Sequence, residues 1–461
     1  MTRRIVPLLM VVGMLCCSCA WAQTDTGTTT DTTAPVQPGP KPAYTYPDTT
    51  PSLDFLNGSI ENSSVTLGLH GGFAVDSNGY PNTNGSQTRW LTNVGASIKL
   101  QQYLPKFSWN LGYTGGLQIY NQLSGPSNSS TNRYSQTATA GFIWQLSRHW
   151  QLLANNSFVE SADPFDSFVT IPGTPTANNP NAVAYLPLTQ FLQNMGIVTL
   201  TNQLTKRDTL SFTGTAQLRR TSTYNTVTTV PFYNLTSYGG RFNYSHQMSA
   251  RLSLGGGYDY NSLDFGKGQQ RSGIHTIQFT VDYLLQPNMT ISGWIGPQYT
   301  STKTEVFFPN PFPPPATIFL GESHDSFWST AAGLNFGWRD KRNAVRAGYS
   351  RSISDGGGIT ATSQVNTVDA TYSRQLARKW TGLVGGRYLN STSTTQQNRK
   401  FSNYFLNAGA TYQITKSFTA TADYARIHQS QSNAFVINSG TYNDNRVGVT
   451  ISYQWSHPLG R

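Results

Sequence analysis

Eleven charged residues share one spacing relative to the apolar residues around them. They are Lys99, Arg219, Arg241, Arg251, Arg346, Arg387 and Arg446, with Asp259, Asp282, Asp369 and Asp423. In Ser97-Ile98-Lys99-Leu100-Gln101, for example, the charge stands with polar residues at even offsets and apolar ones at odd offsets. Such charges can do electrostatic work. Seven cations against four acids would attract small anions to a wet polar face. They can equally brace neighbouring strands, as Asp259 could with Arg241 or Arg251.

Groupings that break and make covalent bonds are harder to find. Of the seven histidines, His149, His246, His324, His428 and His457 fall in expected turns or loops, and His275 shares the apolar parity of Ile277 and Phe279. His70 alone has polar-face parity, and no Ser-His-acid or paired-carboxylate arrangement stands near it in the sequence. No run of His or Glu has metal-ligand spacing. The three cysteines, Cys16, Cys17 and Cys19, all lie in the first 22 residues. The expectation is a non-enzyme with no metal or cofactor.

Those first 22 residues read as a cleaved export leader. Arg3 and Arg4 open it, Ile5 to Leu15 form a short apolar stretch, and Ala20-Trp21-Ala22 offers a small-x-small cleavage site. A lipoprotein signal fits less well, because Gly13-Met14-Leu15 before Cys16 is a poor lipidation context. After cleavage the chain would hold no cysteine, and thirty cations would face twenty-one acids, a net charge of about +9. Nucleic acid is not the expected partner, since the charges are scattered without a Lys/Arg run. Residues 23–55 are rich in Thr, Asp and Pro and read as a flexible lead with too little apolar surface to fold.

The rest of the chain, 56–461, must position the charges. In Val447-Gly448-Val449-Thr450-Ile451-Ser452-Tyr453-Gln454-Trp455 every second residue is apolar, the period of a strand with one apolar and one polar face. Eighteen such segments run from 64–75 to 444–455, with sixteen as the alternative count. Connections after even-numbered segments are short, as at Ser147-Arg148, Met248-Ser249 and Thr415-Lys416. Those after odd-numbered segments are long, as at Ser161 to Leu192, Thr221 to Asn234 and Lys303 to His324. The fold class expected is therefore all-β: a transmembrane up-and-down antiparallel β-barrel with short periplasmic turns, long external loops and both termini periplasmic.

Parity then assigns faces. Phe107, Trp109, Leu111, Tyr113, Leu117 and Ile119 would face lipid, and Ser108, Asn110, Thr114, Gln118 and Tyr120 the lumen. A midplane charge on the lipid face costs roughly 2–4 kcal/mol in such barrels. The eleven charges avoid that face. Arg351 and Arg426 have lipid parity but stand near loop ends. Aromatics flank a basic turn in Tyr372 to Trp380, Ile143 to Trp150 and Tyr412 to Phe418, the pattern of an interfacial girdle. The proline-bearing loops Ser161 to Leu192 and Lys303 to His324 could fold inward to narrow the lumen or stay outside as stiff caps.

Leader, hairpin parity and an aromatic last strand together resemble a bacterial outer-membrane β-barrel of the porin-like kind, over about 400 residues. The resemblance implies a channel for passive passage of small hydrophilic solutes, embedded in outer-membrane lipid and lipopolysaccharide, and the lumen charges would allow anionic ones. It also implies insertion by barrel-assembly machinery that reads Val449, Ile451, Tyr453 and Trp455, although the tail Ser456 to Arg461 departs from a terminal aromatic. The alternatives are an exopolysaccharide export conduit, with Tyr120, Trp294 and Phe405 as interior rings, and a structural or adhesive barrel.

Overall fold

The computed structural model describes residues 63–77, 88–122, 131–161, 189–223, 234–266, 269–309, 317–354, 362–394, 400–432 and 441–459. The expected leader 1–22, the lead 23–55 and the greater part of the loop expected from Ser161 to Leu192 lie outside these residues.

Eighteen strands make up the described chain. They are β1 (Ser64–Asp76), β2 (Arg89–Tyr103), β3 (Phe107–Gln122), β4 (Thr131–Gln145), β5 (Trp150–Ser161) and β6 (Thr189–Gln203). Then come β7 (Asp208–Thr223), β8 (Leu235–Gln247), β9 (Leu252–Phe265), β10 (Gln270–Gln286), β11 (Met289–Pro309) and β12 (Thr317–Arg339). The last six are β13 (Asn343–Ser354), β14 (Ser363–Ala377), β15 (Trp380–Ser393), β16 (Lys400–Gln413), β17 (Phe418–Ser432) and β18 (Thr441–Pro458). Each pairs antiparallel with its sequence neighbours, and β1 closes on β18 from Ser64 opposite Pro458 to Asp76 opposite Arg446. Closure leaves no sheet edge around the ring, which is how a strand-built wall can meet lipid with its backbone satisfied.

The two faces divide as period two requires. On the outside Leu67, Leu69, Val94, Ile98, Tyr113, Val198, Phe212, Ile277, Phe279, Ile295, Val384 and Ile451 are exposed. The same strands turn Asn110, Gln118, Thr276, Gln278, Thr280, Gln298 and Asn403 inward, where they are buried. A closed eighteen-stranded barrel with an apolar outside and a polar inside is the porin-like outer-membrane architecture. Rings cluster near the short turns, with Trp380 on Tyr412 at 4.8 Å, Phe418 on Tyr453 at 4.7 Å and Phe107 on Trp144 at 6.4 Å. The described ends of the chain meet at this same rim, where Leu459 N–H donates to the Ser63 carbonyl at 2.8 Å.

Several expectations change. The segment Lys303 to His324 is mostly strand rather than loop: β11 and β12 stay paired up to Pro309 opposite Thr317. Alternating Thr, Val, Phe and Ile favour pairing there, and the register shift at Val306/Phe307 stands against Gly321, whose φ is 141°. Upstream, β6 starts at Thr189, inside the loop expected to run to Leu192. His246, His324, His428 and His457 lie in strands rather than turns, on the outer face. Their rings lean on neighbours, as His428 does on Tyr404 at 4.7 Å, so a strand accommodates them like any aromatic. Pro297 sits in the middle of β11 without a donor for its ladder position. Beside it a Cβ on Gly296 would lie 1.6 Å from the Ile277 carbonyl oxygen, so only glycine permits this close approach.

Candidate functional site

The site is the inner wall, and its floor plan follows from register. Lys99 points inward near the short-turn end of β2 and is exposed. Arg219 points inward near the opposite end of β7 and is buried. Arg241 on β8 stands opposite Asp259 on β9, and its Nε donates to Asp259 Oδ2 at 2.6 Å. Of the two partners expected for Asp259, the structure selects Arg241. Arg251 falls in the turn before β9 and is exposed at the short-turn mouth. Arg346 is exposed on the inner face of β13. Asp369 and Arg387 face each other across β14 and β15. Asp282 lies between Ser253 and Ser292, and Asp423 between Gly409 and Gly448, in strand register.

Arg446 belongs to a larger group. Its Nε donates to Asp76 Oδ1 at 2.5 Å and its Nη2 to Asp76 Oδ2 at 3.1 Å, while Arg89 Nε reaches Asp76 Oδ2 at 2.8 Å. Asp76 is wholly buried between them. Arg89 also stacks on the Tyr120 ring, Cζ 4.7 Å from its centroid, and Arg133 lies over the same ring at 4.9 Å. Arg446, Asp76, Arg89, Tyr120 and Arg133 thus form one row across β18, β1, β2, β3 and β4. Fork-shaped donors on a carboxylate and planar cations over a ring hold three guanidiniums in fixed places. Asp444, inward on β18 and also buried, adds a second acid near the row.

Opposite in character is the inner wall of β8 to β11. Leu235, Leu263, Phe265 and Ile274 pack there into a buried apolar cluster, flanked by Phe327. Ile353, near the end of β13, joins this cluster although β12 separates its strand from β11. Ile353 N–H donates to Gln298 Oε1 on β11 at 3.0 Å. Thr362, just before β14, meets Ser272 Oγ at 2.7 Å and Gln270 Nε2 at 3.2 Å on β10. The β12–β13 ladder runs only from Arg339 to Ala332, and above it the β13–β14 hairpin leaves the wall. It crosses the inner side of β12 and docks on β10 and β11. Among the described residues, then, the inward-folded element is this hairpin; the greater part of the loop from Ser161 to Leu192 lies outside them.

Burial varies along the barrel axis. In the long-loop half, inward Tyr120, Arg219, Leu235, Thr300, Leu389, Phe405 and Ile427 are all buried. In the short-turn half Asn110, Asn243 and Ser253 are buried as well, while Lys99 and Arg346 remain exposed. Asp76, Arg89, Arg133 and the hairpin contacts were absent from the expected set. Arg89 shares parity with Lys99 on β2, and that was the available signal for it. Asp76 stands one residue past the expected end of its strand at 75.

No family model matches the chain, and no curated protein matches it. Among solved structures, Acinetobacter baumannii OccAB4 is similar at 13% identity, covering 86% of this chain and 98% of that one, with a TM-score of 0.38. Pseudomonas aeruginosa OpdQ is similar at 12% identity, over 86% of this chain and 100% of that one, with a TM-score of 0.40. The outer membrane protein opdK of Pseudomonas aeruginosa is similar at 11% identity, with 86% and 100% covered and a TM-score of 0.37. Likeness at this level carries no argument about solute or mechanism, which rest on the geometry above.

Proposed function

We propose that the protein is an outer-membrane channel that passes small hydrophilic solutes and favours anions. The observation that carries this reading is the row Arg446, Asp76, Arg89, Tyr120 and Arg133 on the inner face of a closed barrel with an apolar exterior. Fixed guanidiniums on an inner wall attract anions and repel cations without having to reorganise. The long-loop half acts as the constriction, and the hairpin docked through Ile353 and Thr362 narrows it further. The short-turn half, where Lys99, Arg251 and Arg346 are exposed, acts as a vestibule. Both termini then lie in the periplasm, and β18 presents Val449, Ile451, Tyr453 and Trp455 to the assembly machinery.

Planar-bilayer recording of the refolded mature chain tests the proposal. Discrete conductance steps are expected, with a reversal potential in a KCl gradient that reports chloride preference. A silent barrel, or one that prefers potassium, would sink it.

A further inference from the structure

The outer wall carries a feature that a passive lipid-facing surface does not need. At the long-loop ends of β7 to β10, Arg220, Asn234, Thr236, Tyr238, Ser262, Asp264 and Arg271 line an open cavity of about 400 Å³ on the outside of the barrel. Arg271 is well exposed, and its Nε reaches Asp264 Oδ2 at 3.2 Å, which steadies the guanidinium at the cavity wall. Arg220 is exposed and has no ion-pair partner among the described residues. Lys303 stands beside Arg271 in register on β11. The lining itself therefore holds two cations, Arg220 and Arg271, against one acid, Asp264.

What lies below the cavity is graded. One row down in register are Tyr238, Ser262, Gly273 and Ser301, and below these come Tyr260, His275, Tyr299 and Trp328. The last four form a continuous band of rings, with centroids 4.9, 6.2 and 5.1 Å apart. Beneath Tyr238, Gly214 and Gly240 sit side by side, and a Cβ on either would meet nothing within 4 Å, leaving a shallow furrow in the apolar wall. Apolar furrow, aromatic band, hydroxyl shelf and cationic cavity follow one another along the strand direction.

Height fixes what this gradient meets. Arg220 stands 12 residues beyond the first residue of β7 and Arg271 stands 15 before the last residue of β10. At roughly 3.3 Å per residue and a tilt of about 40°, that places them some 30–38 Å above the short turns, just past an apolar belt of about 25 Å. This is the headgroup level of the outer leaflet.

We propose that this cavity binds the phosphorylated sugar headgroup of an outer-leaflet glycolipid, with an acyl chain lying along the Gly214–Gly240 furrow. The inference rests on the reading of the barrel as an outer-membrane protein with its long loops outward. Arg220 and Arg271 supply planar, charge-assisted donors of the kind that recognise phosphate. Tyr238, 63% exposed, offers a hydroxyl and a ring face to the sugar.

The test uses the full mature chain refolded in detergent and fluorescent lipid A carrying both phosphates. The double variant R220Q/R271Q should bind at least about tenfold more weakly for each arginine removed. Arg426→Gln, on the outer face of β17, should bind as the parent does. Dephosphorylated lipid A should bind poorly, and phosphatidylglycerol should not compete at equal concentration. Equal binding by the double variant, or by the dephosphorylated lipid, would overturn the proposal, and so would effective competition by phosphatidylglycerol. Bilayer conductance of the parent and the double variant should be the same. Failure of the channel reading thus shows in the parent's conductance, and failure of the lipid site shows in binding.

Discussion

The two sides of the buried half of the lumen are built from different materials. On β18 and β1 to β4 the inward groups are charges, clamped by a carboxylate and a ring. On β8 to β11 they are apolar side chains beneath a shelf of hydroxyls and amides, and a hairpin from across β12 rests on them. On the proposed reading, the charged side selects among ions because its guanidiniums are held where they cannot relax. The other side can set width, because what narrows it is a docked element whose position depends on packing. Selectivity and size would then be separable by mutation, which a uniformly charged ring would not allow.

The strongest way to break this division is at Asp76. Replacing it with Asn leaves two guanidiniums facing each other in a buried place without the carboxylate between them. Removing one member of a buried ionic group costs about 3–5 kcal/mol. Urea unfolding followed by heat-modifiable gel migration should show a loss of that order, and surviving channels should be more anion-selective. Unchanged stability would mean that the triad does not organise this side.

Next in size is Ile353→Ala. Truncating a buried isoleucine costs about 2–5 kcal/mol. Here the loss falls on the docking of the β13–β14 hairpin rather than on the barrel ladder. Single-channel conductance should rise while chloride preference stays put. A change in preference with no change in conductance would reverse the roles assigned to the two sides.

Arg133→Gln is milder, because it removes one cation from the Tyr120 ring and leaves Asp76 with both of its partners. Chloride preference should drop, by less than about tenfold, with conductance near that of the parent. A reversal potential that does not move would take Arg133 out of the selective row.

The charged side was more legible in the sequence than the docked side, for a physical reason. Period two survives any amount of bending, so the strand number and the inward placement of Arg241, Asp259 and Arg446 could be read from alternation and loop lengths. Arg89 and Arg133 carry the same parity but stand where strands meet loops, where boundaries are least certain. Ile353 departs from this pattern. It has the outer-face parity of Tyr349 and Arg351, yet it is buried among inward residues because its strand leaves the wall. Alternation along one strand cannot report when a neighbour stops pairing. The outer cavity was equally hidden, since Arg220 stands far in sequence from Asp264 and Arg271 and joins them only through register.

The smallest expected effect sharpens the comparison most. Arg241 and Asp259 also pair on the inner wall, at 2.6 Å, but both are more exposed than the Asp76 group and no ring holds them. The exchange R241D/D259R conserves the charge of the lumen and reverses one dipole. Both charges stay present and paired, so no half-buried charge is left without its partner and the loss should be smaller than that of Asp76→Asn, even though Asn261 Nδ2 loses its bond to Asp259 Oδ1. Chloride preference should match the parent within error. Were the exchange to shift the reversal potential as far as Arg133→Gln does, charge position anywhere along the lumen would govern selection. The row on β18 to β4 would then be one contributor among many. If it shifts nothing, selection resides where guanidiniums are buried and immobile, and the half-buried pair only braces the wall.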